Sequence, residues 1–413
     1  MTIPSLSRSE AVRLALRAQG LERRPAQPGG SARVRATLQR LGAVQLDTIA
    51  VLARSHELVQ YARSGPIGRA RVEQGYWDGG STWEYWSHAA CILPQATYPW
   101  FAFRRRDYVP KAERWGVTPA ELQRVRAALA ERGPVTTREL GGGRRQAGWW
   151  EWSAAKVTVE WLLAVGEVVV AKRDGWRRVY DLGARVLPAF DTTDWVDERG
   201  VFGPSDIDCL RWLVRESVRT LGVGTVGDIR DVHRLHGYGS PTGDPRRSAL
   251  AHAIAEVHAA GEIVRVDVEG WSAPTYADPV ALQRIPRSTR SVTTLLSPFD
   301  SLVWYRERLE RMFGLRHRIE AYTPAAQRTH GYFSMPVLHE GAVIALVDPA
   351  RDGQTLVARR VTAVAGRPDA EAVAIALADA ATWVGATAVR VEHAPTPTWA
   401  RTVQQRATQL LAH

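Results

Sequence analysis

Apolar residues recur at helical spacing over residues 7–19, 31–41, 119–131, 153–165, 206–220, 247–260 and 369–384, and the pattern predicts amphipathic helices there. A last helix is expected to run to residue 412. Ser7 with Glu10 is a capping-box pair at the first of these helices. Period-two runs predict strands over 317–323, 331–338, 341–347 and 354–364, with one more near 387–392. A β-rich C-terminal domain from about residue 290 follows from that pattern.

The elements repeat. Gly166-Glu167-Val168-Val169-Val170 recurs as Gly261-Glu262-Ile263-Val264-Arg265, and each glycine is followed nine residues on by Gly-Trp, at Gly175-Trp176 and Gly270-Trp271. Asp174-Gly175 and Glu269-Gly270 are turn dipeptides between strand-forming runs, so each copy predicts a hairpin. Upstream, Thr136…Glu139 and Thr225…Asp228 are helix-starting caps at equivalent places. Helix, short capped helix, longer helix and hairpin make a winged helix-turn-helix, with the third helix as recognition helix and the hairpin as wing. A degenerate copy opens the chain, and Gly42-Ala43-Val44-Gln45-Leu46-Asp47 falls on the frame of the wing's first strand. Alternation then turns Val44 and Leu46 to the core and gives Gln45 and Asp47 one shared face. The other copies have Val169/Ala171 and Val264/Val266 at that pair.

The expected fold class is α+β: tandem winged helix-turn-helix units with a C-terminal β-rich, barrel-like domain. The boundaries read as 1–110 (with Gln45, Asp47 and an aromatic-rich segment), 111–190, 200–285 and 290–413. A length of 413 residues suits about two to three domains. The two cysteines exclude a disulfide framework or a thiolate-built zinc site, and no apolar run reaches the ~18 residues of a membrane span. The N-terminus has no signal-like apolar stretch, so a soluble protein of a reducing compartment is expected.

The net charge is +11, and the three lysines Lys111, Lys156 and Lys172 leave 51 arginines. An anionic partner fits that balance, and guanidinium forks suit phosphates and base edges. Other chemistries lack their motifs. Gly222-Val223-Gly224-Thr225-Val226-Gly227 matches a dinucleotide-binding glycine pattern but follows a helix, so it reads as a helix-turn-helix turn. No phosphate-binding loop, His-Glu-x-x-His or Gly-x-Ser-x-Gly is present, and His233 and His236 read as surface residues rather than metal ligands.

Several stretches together resemble the AlkZ/YcaQ-type bacterial DNA glycosylases. They are Leu41-Gly42-Ala43-Val44-Gln45-Leu46-Asp47, Glu84-Tyr85-Trp86-Ser87-His88-Ala89-Ala90, Leu295-Leu296-Ser297-Pro298-Phe299-Asp300, Arg306-Glu307-Arg308 with Phe313-Gly314, and Gly331-Tyr332. Tyr305 stands where an acidic residue is expected. The resemblance implies that Gln45 and Asp47 carry catalysis and that the chain lies nearer the YcaQ-like branch, whose triplet is Gln-apolar-Asp. It implies hydrolysis of the N-glycosidic bond of N7-alkylated guanine, including unhooking of interstrand crosslinks, with no metal or other cofactor. The implied partner is double-stranded DNA carrying alkylated or crosslinked guanine, the implied state a monomer, and the implied place the cytoplasm, at the nucleoid during repair.

A cationic base leaves without a general acid, so the site needs negative charge beside an oxocarbenium-like sugar and a held water. Asp47 can supply the charge and take the water's proton, and Gln45 can hold the water. His88 is a possible neighbour of the active site, although a histidine among aromatics is more often a packed core residue. Arg104, Arg105, Arg106, Arg144 and Arg145 are candidate phosphate contacts or a solvated surface. A crosslinked base is hard to flip into a closed pocket, so an open arginine-lined groove is expected. Competing readings are a non-enzymatic winged-helix transcriptional regulator and a protein-interaction module. The Gln45/Asp47 pair separates the enzyme from the regulator.

Overall fold

A computed structural model gives the structure, described here for residues 3–25, 29–141, 153–188, 190, 203–235, 245–288, 292–364 and 369–412. Its contacts divide the chain into two compact units. One holds Met1–Gly75, Val214–His236 and Glu256–His413, and the other Tyr76–Leu213 and Gly237–Ala255.

In the unit that begins at Tyr76, strands Thr82–Trp86 and Ala90–Pro94 form an antiparallel hairpin with Glu84 opposite Ile92. Trp83 is buried against Tyr85, Tyr98 and Phe101, with ring centroids 4.8, 4.9 and 5.8 Å away. The elements predicted by the first repeat follow in order. Helix Pro119–Arg132 and strand Val135–Thr136 precede helix Ala154–Val165, started by the Ser153 side chain, and strands Val168–Asp174 and Arg177–Leu182. The last strand lies between the other two. Thr136 and Glu139 do exchange cap hydrogen bonds (2.7 and 3.4 Å), but residues 137–141 are turns, not the predicted short helix. Gly141, at φ 82°, leaves the helical region of backbone space there.

The second repeat gives helix Asp206–Leu221, strand Val223–Thr225, helices Val226–Val232 and Pro245–Ala259, and strands Val264–Val268 and Thr275–Ala277. The return strand starts later than the Gly270-Trp271 spacing predicts. Thr225 and Asp228 form the full capping box. Gly222 ends the long helix with φ 73°, and a Cβ there would lie 2.7 Å from the Leu14 carbonyl oxygen. The glycine motif at 222–227 thus serves a helix end, a strand and a helix start. Helix Arg8–Ala18 begins at the Ser7/Glu10 capping box, and strand Ser5–Leu6 pairs in parallel with Val264–Val268.

The C-terminal sheet has the order Thr294–Leu295, Met335–His339, Ala342–Asp352, Thr355–Ala363, Ala388–Val391. Only the last pair is parallel. Irregularities at Val337/Leu338 and Asp348/Pro349 bend its strands. Helices Ala370–Val384 and Pro397–Leu411 complete the chain. Val12, Leu16, Leu296, Leu309, Phe313 and Leu346 share one buried cluster, so this sheet and the N-terminal helix have a common core. Two expectations are corrected. Residues 317–323 form no strand, because His317 is buried on the Ser334 carbonyl (2.8 Å) and Glu320 accepts the amides of Thr329, His330 and Gly331. The next strand begins at Met335 rather than 331, since Gly331 sits at φ 112° and the Phe333 amide is taken by the Asp348 side chain.

Candidate active site

Helix Ser31–Leu41 stops at Gly42, whose φ of 70° turns the chain into the short strand Val44–Gln45. Val44 and Leu46 are buried as the alternation predicts. Gln45 Nε2 lies 3.4 Å from Asp47 Oδ2, so amide and carboxylate share one face. No hairpin strand returns after Asp47. Asp47 Oδ1 accepts the Ile49 amide at 2.9 Å, and the chain turns instead. Gln45 is buried and Asp47 half-buried. Among the described residues no cation pairs with Asp47.

The turn is clamped by a residue that the sequence did not single out. Ser55 Oγ donates to the Gln45 carbonyl (2.6 Å) and accepts the Asp47 amide (2.9 Å). Ser55 opens helix Ser55–Ser64, all of whose residues are buried. The Arg54 amide donates to Glu57 (2.6 Å), which also takes Arg69 (2.6 Å), and His56 Nε2 meets Glu73 at 2.8 Å. At the other end, Arg63 forks onto Asp300 (2.6 and 3.0 Å) and donates to the Gln19 carbonyl (2.7 Å). Asp300 also accepts the Leu302 amide at 2.9 Å. A buried bidentate ion pair therefore ties the helix bearing Ser55 to the Leu295–Asp300 motif.

The arginine-rich motif has a similar task. Arg308, fully buried, donates to the carbonyls of Leu221 and Val223 (2.9 and 3.0 Å), and Arg311 pairs with buried Asp228 at 2.5 Å. Burial pulls the Arg308 guanidinium down to about 10. Tyr305 donates to Glu307 at 2.6 Å.

Other predicted residues fall elsewhere. His88 is buried on the turn joining the two strands of the tryptophan-rich hairpin, in the unit that begins at Tyr76. Gln45 and Asp47 belong to the other unit. Arg104 and Arg105 are buried, which corrects the expectation of a surface cluster at 104–106. Arg104 donates to the carbonyls of Trp86 and Ser87 and so fixes the turn that carries His88. Arg105 donates to the Tyr98 carbonyl and lies over that ring, 3.9 Å from its centroid. Arg106 pairs with Asp206. Arg144 and Arg145 lie outside the described residues. His233, expected at the surface, is buried at the end of helix Val226–Val232, and His236 is outside the described residues. Among the described residues, His56, Glu57 and Glu73 are the group close enough to share a metal ion. Glu57 is already engaged by the Arg54 amide and Arg69. Glu84 is buried under Arg173 (2.6 Å) and Arg178 (3.3 Å). Cys91 and Cys209 are buried free thiols, and burial pushes Cys91 up to about 11. No helix among the described residues is long and apolar enough to cross a membrane.

A mixed α+β chain with these features has a solved counterpart of the same fold class. The structure of Streptomyces sahachiroi DNA glycosylase AlkZ superposes with a TM-score of 0.62 at 18% identity, covering 94% of this chain and 100% of that one. At that identity the likeness establishes the fold. The sequence itself matches the family described as DNA glycosylase AlkZ-like over residues 38–383, and the chain belongs to that family. DNA is the substrate that membership implies.

Proposed function

We propose that the protein is a monofunctional DNA glycosylase that hydrolyses the N-glycosidic bond of N7-alkylated guanine, including guanines in interstrand crosslinks. The observation that carries this reading is the Gln45–Asp47 pair, held on one face of a clamped turn with no cation paired to the carboxylate among the described residues. As the C1′–N9 bond breaks, its electron pair passes to the base and neutralises the cationic imidazolium. The sugar's developing positive charge is stabilised by Asp47. Water, held by the Gln45 amide, attacks C1′ and loses a proton to Asp47. Free base and an abasic site result. Residues 1–110 contain no lysine, so the reading includes no imine-forming strand cleavage there. No metal takes part. The repeats act as tandem winged helices with the boundaries given above, and the protein works as a cytoplasmic monomer at the nucleoid.

The test is base release from a duplex carrying a single N7-methylguanine, under single turnover, with a crosslinked duplex in parallel. Wild type should release base, and Asp47→Asn should lose at least about a hundredfold in rate while still binding DNA. Equal rates for the two proteins would remove Asp47 from the chemistry. No release from either duplex by wild type would remove the N7-alkylguanine assignment.

A further inference from the structure

A large cleft in the unit that contains Gln45 and Asp47 does not include them. It encloses about 880 Å³ and is lined by seven arginines against Glu22 and Asp278. Three of the arginines are already committed. Arg17 pairs with Glu22 (3.0 Å), Arg63 with Asp300, and Arg219 with Glu216 (2.6 Å). Asp278 spends an oxygen on the Val280 amide (3.2 Å).

Among the described residues, Arg23, Arg33, Arg40 and Arg284 have no ion-pair partner. The side chains of Arg23, Arg40 and Arg284 are exposed. Arg33 Nε is buried with no hydrogen-bond partner among the described residues. The Arg40 guanidinium, open to solvent on one side and partly desolvated on the other, is lowered from its ordinary value by that desolvation and then by the charges of Arg219 and Arg63. Like charges are crowded here, and Glu22, already paired with Arg17, offsets them only in part at Arg40.

We propose that this cleft holds backbone phosphates of the DNA flanking the lesion. The proposal rests on DNA being the substrate and not on the identity of the base released. One small anion would answer one or two guanidiniums, whereas four guanidiniums without an ion-pair partner around a single cleft match a run of phosphodiesters, Arg40 spending one donor on the Arg17 carbonyl (2.8 Å). Chain connectivity selects DNA over a free polyphosphate. Arg40 lies in the cleft wall five residues before Gln45, so the two are at most about 17 Å apart along the chain. At about 3.4 Å per nucleotide of one strand, that is about five steps from a base at the Gln45–Asp47 turn. These contacts position the duplex and do not read its sequence.

The test measures binding of a labelled, undamaged duplex over a salt series. Arg33→Ala/Arg284→Ala should lower the slope of log K against log salt by about 2 and weaken binding roughly tenfold at low salt. Arg406→Ala, which breaks an exposed pair with Glu371, should change neither. Arg23→Ala/Arg284→Ala gives the same readout with two exposed side chains, should loss of Arg33 disturb its helix. Wild-type slope and affinity in both double variants would overturn the proposal. It would equally be overturned if tripolyphosphate bound in an Arg284-dependent way while duplex binding stayed unchanged. Base release is scored separately. If wild type releases no base yet the double variants lose salt-dependent binding, the lesion assignment fails and the cleft stands.

Discussion

Ser55 does at residue scale what the triplet cannot do for itself. Its hydroxyl joins the Gln45 carbonyl to the Asp47 amide, so it fixes the backbone on both sides of Leu46. Ser55→Ala should lower the single-turnover rate of base release by roughly tenfold to a hundredfold, because a small displacement of a reacting group is costly. DNA affinity should stay within about twofold, and Ser55→Thr should restore most of the rate. An equal loss of rate and affinity would mean that the serine supports folding rather than the turn. The Gln45/Asp47 pair was legible from the two-residue alternation and from the family triplet. Ser55 was not, since a bond to a carbonyl ten residues back leaves no periodic signal. Arg104 and Arg105 misled for the opposite reason. A run of three arginines reads as surface, yet two of them found carbonyl acceptors inside.

At the scale of elements, the buried Arg63–Asp300 pair is the joint between helix Ser55–Ser64 and the segment after strand Thr294–Leu295. Removing one partner strands a charge in the interior. Arg63→Met should cost about 3–5 kcal/mol in denaturant unfolding, and Arg63→Met/Asp300→Leu should recover much of it. If the single variant were as stable as wild type, the pair would not be the joint. Helices were the readable elements. The caps Ser7 and Thr225 sit where the sequence places them, and Ser153, which the sequence reading did not single out, caps a third helix. The strand expected at 317–323 failed because alternation reports a half-buried surface and not its partner. Glu320 had drawn the neighbouring loop amides to a carboxylate instead.

For the whole molecule, pH acts on stability through His317. Burial, followed by the charge of Arg306, lowers it from an ordinary value near 6.5 to about 4. The unfolded chain therefore takes up a proton first as pH falls. The stabilisation is complete above about 6.5 and is lost progressively down to about 4. It is worth on the order of 3 kcal/mol. Wild type should lose more melting temperature between pH 7 and 4.5 than His317→Gln, whose amide can still donate to the Ser334 carbonyl. Parallel curves for the two proteins would exclude His317 as the source. The order of helices and hairpins was visible in the repeat, but the division into two units was not, because each unit gathers segments far apart along the chain.

The burial of both thiols has a consequence for the life of such an enzyme. On the function proposed above, the protein works among the electrophiles that alkylate DNA. Thiolates are the softest nucleophiles a protein offers them, and the thiol form reacts far more slowly. Cys91 and Cys209 are both buried, and that burial raises both thiols toward the protonated form, so neither cysteine offers such a reagent an accessible thiolate.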